Sequence, residues 1–194
     1  MGFMLEIERN VKLDNIEYVF RAAGKDSEVY SNNGVVRKFY KSSISLEQLD
    51  LYKKVTDRLK ALIDGKSTSD LGLQIYWKVI SIKKIGGPLL FKGSLVNYSE
   101  SRYLPGANFR QIYGHDFSDM CSNQLPRIVN MLGREKDLIS GLNTFSENLN
   151  SRLDYKGIHL SLPNIKPFYI NGRHWFVITD LCSEISNLEQ NKIT

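Results

Sequence analysis

Gly157 to Leu181 reads GIHLSLPNIKPFYINGRHWFVITDL and carries the clearest local signal in the chain. Ile165 to Ile170 and His174 to Ile178 are rich in β-branched and aromatic residues, which fit a pleated, half-buried surface. Asn171-Gly172 between them suits the positive φ of a tight hairpin turn. A short turn-rich stretch, Ile158 to Pro163, precedes the hairpin and ends at Asn164. Thr179-Asp180 follows the second strand.

Upstream of this segment, Leu138, Leu142, Phe145, Leu149 and Leu153 recur at spacings of three and four, which predicts a helix with one apolar stripe. Gly157 is placed to stop it. The first half reads mostly as strands: Tyr18 to Arg21, Glu28 to Tyr30, and Val35 to Tyr40, with a turn at Ser31-Asn32-Asn33-Gly34. From Ser45 the period changes. Leu46, Leu49, Tyr52, Val55, Leu59 and Leu62 fit a helix face, with Ser45 as its cap. Two further strands are expected at Gln74 to Ile85 and Ser94 to Tyr103, around Gly86-Gly87-Pro88. Leu104-Pro105-Gly106-Ala107-Asn108 breaks the pattern near mid-chain. It divides the chain into an N-terminal unit, 1–104, and a C-terminal unit, 105–194.

The 194 residues are 42% hydrophobic and 24% charged, which excludes wholesale disorder, collagen and coiled coil. No apolar run approaches the roughly 18 residues of a membrane span. The opening MGFMLEIERN lacks the apolar core of a secretory signal, and Ile7 stands where a myristoylation signal carries Ser or Thr. A cytoplasmic location is expected. Lys and Arg outnumber Asp and Glu by 26 to 21, a net charge of +5 that permits an anionic partner. The basic residues are spread thinly, with Lys53-Lys54 and Lys83-Lys84 the densest pairs, so a nucleic-acid surface is not expected. Cys121 and Cys182 lie far apart, and neither they nor His115, His159 and His174 have metal-ligand spacing.

The order of parts resembles the protein-kinase-like superfamily, which includes eukaryotic-like protein kinases and small-molecule kinases related to aminoglycoside phosphotransferases. The likeness runs from Phe20 to Leu181. It implies an α+β fold, a truncated bilobal kinase-like architecture with an antiparallel-sheet N-lobe bearing one helix and a small, mainly helical C-lobe bearing the hairpin. Ala22 to Tyr30 (AAGKDSEVY) resembles the Gly-rich loop, with Gly24 at its middle glycine, Ala22 and Ser27 in place of the outer two, and Val29 at the valine that packs on the adenine. Small residues there let backbone N–H groups approach phosphate. Val35-Val36-Arg37-Lys38 resembles the strand that carries the phosphate-contacting lysine. Val36 and Lys38 share one face of the strand, so Lys38 enters the cleft beside Val36; Arg37 and Lys41 are rivals. Glu47, with Asp50 and Asp57 as rivals, would be the helix acid that pairs with Lys38. Ser101 to Gly106 looks like the hinge, with Tyr103 and Leu104 offering backbone groups to the adenine edge.

Gly157 to Asn164 resembles the catalytic loop. Asn164 matches its metal-binding asparagine, and Asp180 matches the acid that ends the following strand. An amide oxygen and a carboxylate at the base of one hairpin form a hard-oxygen pair suited to Mg²⁺. The catalytic aspartate is absent. Counted without gaps, His159 takes its place; with His159 aligned to the motif's own histidine, Ser161 does. Leu181 and Cys182 replace the Phe and Gly that usually follow the metal-binding acid, and only 14 residues follow Asp180. The resemblance implies ATP and Mg²⁺ as ligands and, in one reading, transfer of the γ-phosphate to an unknown hydroxyl acceptor, with Lys38 and Asp180 supporting catalysis and His159 as base. The alternative is a pseudokinase, a regulatory or interaction module without phosphotransfer and with an unknown protein partner.

Overall fold

The computed structural model describes residues 10–13, 15–24, 26–69, 71, 74–116, 118–124, 134–181, 185 and 189–190. The readings at residues 1–9 and at Cys182 lie outside them.

The first half builds a six-stranded antiparallel sheet from β1 (Val11–Leu13), β2 (Ile16–Ala23), β3 (Ser27–Asn32), β4 (Val35–Tyr40), β7 (Ile82–Phe91) and β8 (Ser94–Arg102). Its order is β1-β2-β3-β4-β8-β7. Asn33 and Gly34 both take positive φ, 42° and 79°, as the two-residue β3–β4 turn demands. One side of the sheet is held by an aromatic cluster in which Phe39 stacks on Phe91 at 4.2 Å and Tyr30 meets both rings edge-on.

Gly86-Gly87-Pro88 is not the turn between the last two strands. It lies inside β7, where the register against β8 shifts between Gly86 and Leu89. The turn falls at Lys92-Gly93, both at positive φ. The glycines are needed for packing, since a Cβ at Gly86 would come within 2.7 Å of the Tyr98 hydroxyl.

α1 (Leu46–Ile63) follows β4. Ser45 caps it through a capping box with Gln48. Leu49, Tyr52, Val55, Leu59 and Ile63 are buried. Leu46 stays exposed, and the stripe ends on Ile63 rather than Leu62, because i+4 from Leu59 keeps the face better than i+3 over the last turn. Lys53 and Lys54 form ion pairs along the solvated face of the helix with Asp57 and Asp50.

The expected single strand Gln74 to Ile85 is two strands in two sheets. β5 (Ser67–Thr68) and β6 (Ile75–Val79) leave the first sheet, and β6 runs parallel to β11 (Arg173–Ile178). The second sheet has the order β10-β11-β6-β5, with β10 at Ile165–Ile170. The cause is the alternation Ile75, Trp77, Val79, all buried. Trp77 stacks on Phe145 at 4.6 Å and meets Phe176 edge-on at 5.5 Å. Both of these ring partners come from the second half of the chain. The second sheet therefore draws strands from both sides of residue 104.

α2 (Phe109–Tyr113) and α3 (Glu135–Leu153) are the α-helices described in the second half, and their residues outnumber those of its four short strands. Leu138, Leu142, Phe145, Leu149 and Leu153 all face the core. α3 ends on Asp154 in the left-handed conformation, φ 58°, ahead of Gly157. A two-residue pair, β9 (Tyr155–Lys156) with β12 (Glu189–Gln190), lies beyond it. The β10–β11 hairpin, with Asn171 and Gly172 at φ 52° and 74°, has the expected turn. No helix among the described residues is long and apolar enough to cross a membrane.

Candidate functional site

A crevice of about 440 Å³ opens between the first sheet and the base of the β10–β11 hairpin. That is within the range of small-molecule sites. Ala22, Gly24, Ser27, Val29, Val36 and Lys38 line it from β2 to β4. Tyr103 and Leu104 line it beyond β8, and Asn164 and Asp180 from the hairpin base. Of the residues singled out from sequence, Glu47 and His159 are not among its lining.

Strand alternation sets the upper wall. Val36, Lys38 and Tyr40 share one face of β4, and Val29 pairs with Lys38 across the ladder. The tip of the β2–β3 loop is a tight turn in which the Gly24 N–H donates to the Ser27 carbonyl at 2.8 Å. A Cβ at Gly24 would meet that oxygen only at ordinary contact distance, 3.7 Å. The backbone itself does not require glycine there.

Lys38 Nζ lies 2.5 Å from Asp180 Oδ2, an ion pair that joins the first sheet to the hairpin base. Tyr52 of α1 donates its hydroxyl to Asp180 Oδ1, and the Leu181 N–H donates to the same carboxylate oxygen at 3.0 Å. The same Leu181 N–H reaches the Tyr52 hydroxyl oxygen at 3.2 Å. The helix therefore supplies a phenol where an acid was expected. Glu47 sits exposed in the first turn of α1, where hydrogen bonds at the Ser45 cap hold its carboxyl below the usual range. Five residues separate it from Tyr52, more than a full turn, and that offset carries it out of the crevice. Asp50 and Asp57 pair with lysines on the solvated face.

The hairpin base is stitched by Thr179, whose N–H and hydroxyl both donate to the Asn164 main-chain carbonyl at 2.8 and 3.0 Å. This places Asn164 beside the residue that precedes Asp180. The Asn164 side-chain Nδ2 is buried and has no hydrogen-bond partner. A buried orphan of this kind is costly in a folded protein and marks a place where a polar ligand would be welcome.

The loop before Asn164 is fixed at three points. Asn150 of α3 accepts from the Ile158 N–H at 3.0 Å and donates to its carbonyl at 2.8 Å. The Ser146 hydroxyl accepts from the Leu160 N–H at 2.9 Å. The His159 N–H donates to the Leu181 carbonyl at 2.8 Å. Ile158, Leu160 and Leu162 are buried. Their alternation turns His159 outward, onto a separate depression of about 310 Å³ bounded by Arg110, Ile139 and Asn143. His159 is thus not placed as a base for chemistry in the crevice. Ser161, at the same position in the other alignment, does reach the crevice wall.

Among the contributors missed from sequence are Tyr52, read only as an apolar-face residue, and Lys166. Lys166 lies two residues after Asn164 on β10 and points into the crevice. Its Nζ donates to the Leu104 carbonyl at 2.7 Å and lies 5.9 Å from the centre of the Tyr103 ring. Burial pushes its ammonium below the ordinary lysine value, with Asp119 acting in the opposite direction. Period-two alternation in Ile165-Lys166-Pro167, with Ile165 and Pro167 buried, was the available signal. Lys166 also alters the expected hinge. The Leu104 carbonyl accepts from it, and the Tyr103 N–H donates to the Gly34 carbonyl at 2.8 Å.

Arg21, Lys38, Arg102 and Lys166 line the crevice against two carboxylates, Asp26 and Asp180. Asp26 is itself engaged, accepting from the Ile185 N–H at 2.9 Å. The excess of cations suits an anionic guest.

No protein-family model matches the chain. No curated protein matches it. Among solved structures it is similar to WbdD, determined with a kinase inhibitor, at 10% identity and a TM-score of 0.41 over 94% of this chain and 35% of that one. It is similar also to the PknI kinase domain of Mycobacterium tuberculosis, at 12% identity and a TM-score of 0.40 over 85% of this chain and 60% of that one. The chain thus spans about a third of the first protein and three-fifths of the second.

Proposed function

We propose that the chain is a kinase-like domain whose crevice binds a magnesium nucleoside triphosphate. The observation that carries this reading is the convergence of Lys38, Asp180 and the orphaned Asn164 amide on one cationic crevice large enough for a nucleotide. In this reading Ala22, Gly24 and Ser27 border the phosphates, Val29 and Val36 pack on the base, and Tyr103 and Leu104 border its edge. Lys38 reaches phosphate oxygens while keeping its tie to Asp180.

Asn164 and Asp180 fit a Mg²⁺ ion. Mg²⁺ is commonly held by one or two protein oxygens together with substrate phosphates. A half-turn of the Asn164 amide exchanges Nδ2 and Oδ1 in place, so the orphaned position becomes an oxygen donor. Bound there, the ion would neutralise phosphate charge. Tyr52 and the Leu181 N–H hold the Asp180 carboxylate in orientation for it.

The pseudokinase-like role is favoured over phosphotransfer by one observation: His159 opens away from the crevice. Absence of general-base help costs a transfer reaction about 10²–10⁴-fold. The domain binds nucleotide as a ligand and acts through a partner. Equilibrium binding of magnesium nucleoside triphosphates, together with a γ-³²P transfer assay, tests this. Binding lost in Asp180→Ala, with no label transferred by wild type, is expected. Robust transfer that His159→Ala abolishes would restore the enzyme reading.

A further inference from the structure

Lys166 stands at the far end of the crevice, its ammonium against the Leu104 carbonyl and near the Tyr103 ring. The inference drawn from this placement rests on the nucleotide reading above and adds the class of base. In a site built to take adenine, the exocyclic amine needs an acceptor and the ring needs a donor beside it. Here the Leu104 carbonyl is engaged by the Lys166 ammonium at 2.7 Å, and the Tyr103 N–H is engaged by Gly34. A cation stands in their place.

An ammonium has three hydrogens and no acceptor. One hydrogen is spent on Leu104, and the remaining two demand acceptor atoms from the guest. The Arg21 guanidinium lies 5.1 Å from the centre of the Tyr103 ring, the same ring that Lys166 approaches, so a second cation reinforces the demand. Adenine presents N7 as an acceptor, but its neighbour N6 is a donor that would point toward positive charge. Uracil presents a single carbonyl at that edge, flanked by a carbon. Guanine and hypoxanthine present O6 and N7 side by side, two acceptors that match two hydrogens.

We infer that the crevice selects a 6-oxopurine nucleotide over an adenine nucleotide, with Lys166 as the discriminating residue. Lys166 approaches the base, and the phosphates lie at the other end, by Lys38 and Asp180.

The test is a binding series on the full chain with the magnesium salts of GTP, ITP, ATP and UTP, alongside inorganic tripolyphosphate. ITP keeps O6 and N7 and drops the 2-amino group, so it isolates the edge in question. GTP and ITP should bind within about threefold of each other, and both about tenfold or more tighter than ATP, the discrimination expected of one well-made two-point contact. Lys166→Met should collapse that ratio to about twofold or less, and Lys166→Arg, which keeps the donors, should preserve it. The ratio in wild type decides the matter even where a variant does not fold. ATP binding as tightly as GTP and ITP would overturn the inference. Tripolyphosphate binding with no discrimination among bases would overturn it too and leave the crevice reading standing. Failure of every triphosphate, tripolyphosphate included, would overturn both.

Discussion

Tyr52→Phe removes one oxygen atom and leaves the ring where it is. The phenol is buried and touches two groups of the hairpin base: it donates to Asp180 Oδ1 and accepts from the Leu181 N–H. A hydrogen bond to a charged group contributes about 1.5–3 kcal/mol. Two features place the loss at the lower end. The Leu181 N–H keeps its bond to the Asp180 carboxylate, and the Asp180 side chain is 29% exposed, so water partly replaces the phenol. A cost of about 1.5 kcal/mol follows. For a chain of 194 residues that lowers Tm by about 3–6 °C. Differential scanning calorimetry reads it, and a double-mutant cycle with Asp180→Asn should show coupling of at least about 0.5 kcal/mol. Glu47→Gln should lower Tm less than Tyr52→Phe, because Glu47 is exposed at the helix start. Strict additivity of Tyr52→Phe with Asp180→Asn, or a larger loss from Glu47→Gln, would refute the phenol as the link between α1 and the hairpin.

Asp64 caps the end of α1. Burial favours its neutral form, but the Val79 N–H at 2.8 Å and the Lys60 ammonium, with Lys78 farther off, outweigh burial and hold its carboxyl below the usual range. The folded pKa lies below the unfolded one, so the contribution is fully present above about pH 4 and fades as the pH falls through the folded value. Urea unfolding should show wild type more stable than Asp64→Asn at pH 6, with the gap closing toward pH 2. Gln124 is buried, and its side chain bonds the Ala107 N–H, the Ala107 carbonyl and the Pro167 carbonyl. Gln124→Ala should cost about 2–4 kcal/mol in chemical denaturation by orphaning buried groups, and an effect under about 1 kcal/mol would contradict that role. Gly86→Ala drives a Cβ against the Tyr98 ring and should cost about 1–3 kcal/mol, whereas Gly34→Asn at the hairpin turn should be tolerated better because Asn accepts positive φ.

Much of the local structure was legible because local chemistry dictates it. The Asn171-Gly172 hairpin, the Ser45 cap and the Leu138 to Leu153 stripe each follow from a turn preference, a capping group or a helical period, and the folded chain keeps all three. The sorting of strands between sheets was not legible. Gln74 to Ile85 looks continuous on a page, and only the packing of Trp77 against Phe145 and Phe176 sends β6 to the second sheet. The same holds at the crevice. Alternation along β4 puts Val36 and Lys38 on one wall, which sequence reveals. The identity of the group facing Asp180 from α1 depends on where the helix crosses the sheet, and Tyr52 resembles any other apolar-face residue until that crossing is known. His159 turned outward for a reason also written in the sequence, the apolar alternation Ile158, Leu160, Leu162, but one overshadowed there by motif spacing.

Paramagnetic mapping by NMR interrogates the convergence at the hairpin base most directly. Mn²⁺ added with nucleoside triphosphate in place of Mg²⁺ should broaden the backbone signals of Asn164, Thr179 and Leu181 first, together with those of Lys38, and Asp180→Ala should abolish that pattern. Broadening that spares these residues, or that persists unchanged in Asp180→Ala, would contradict a metal–triphosphate site in this crevice.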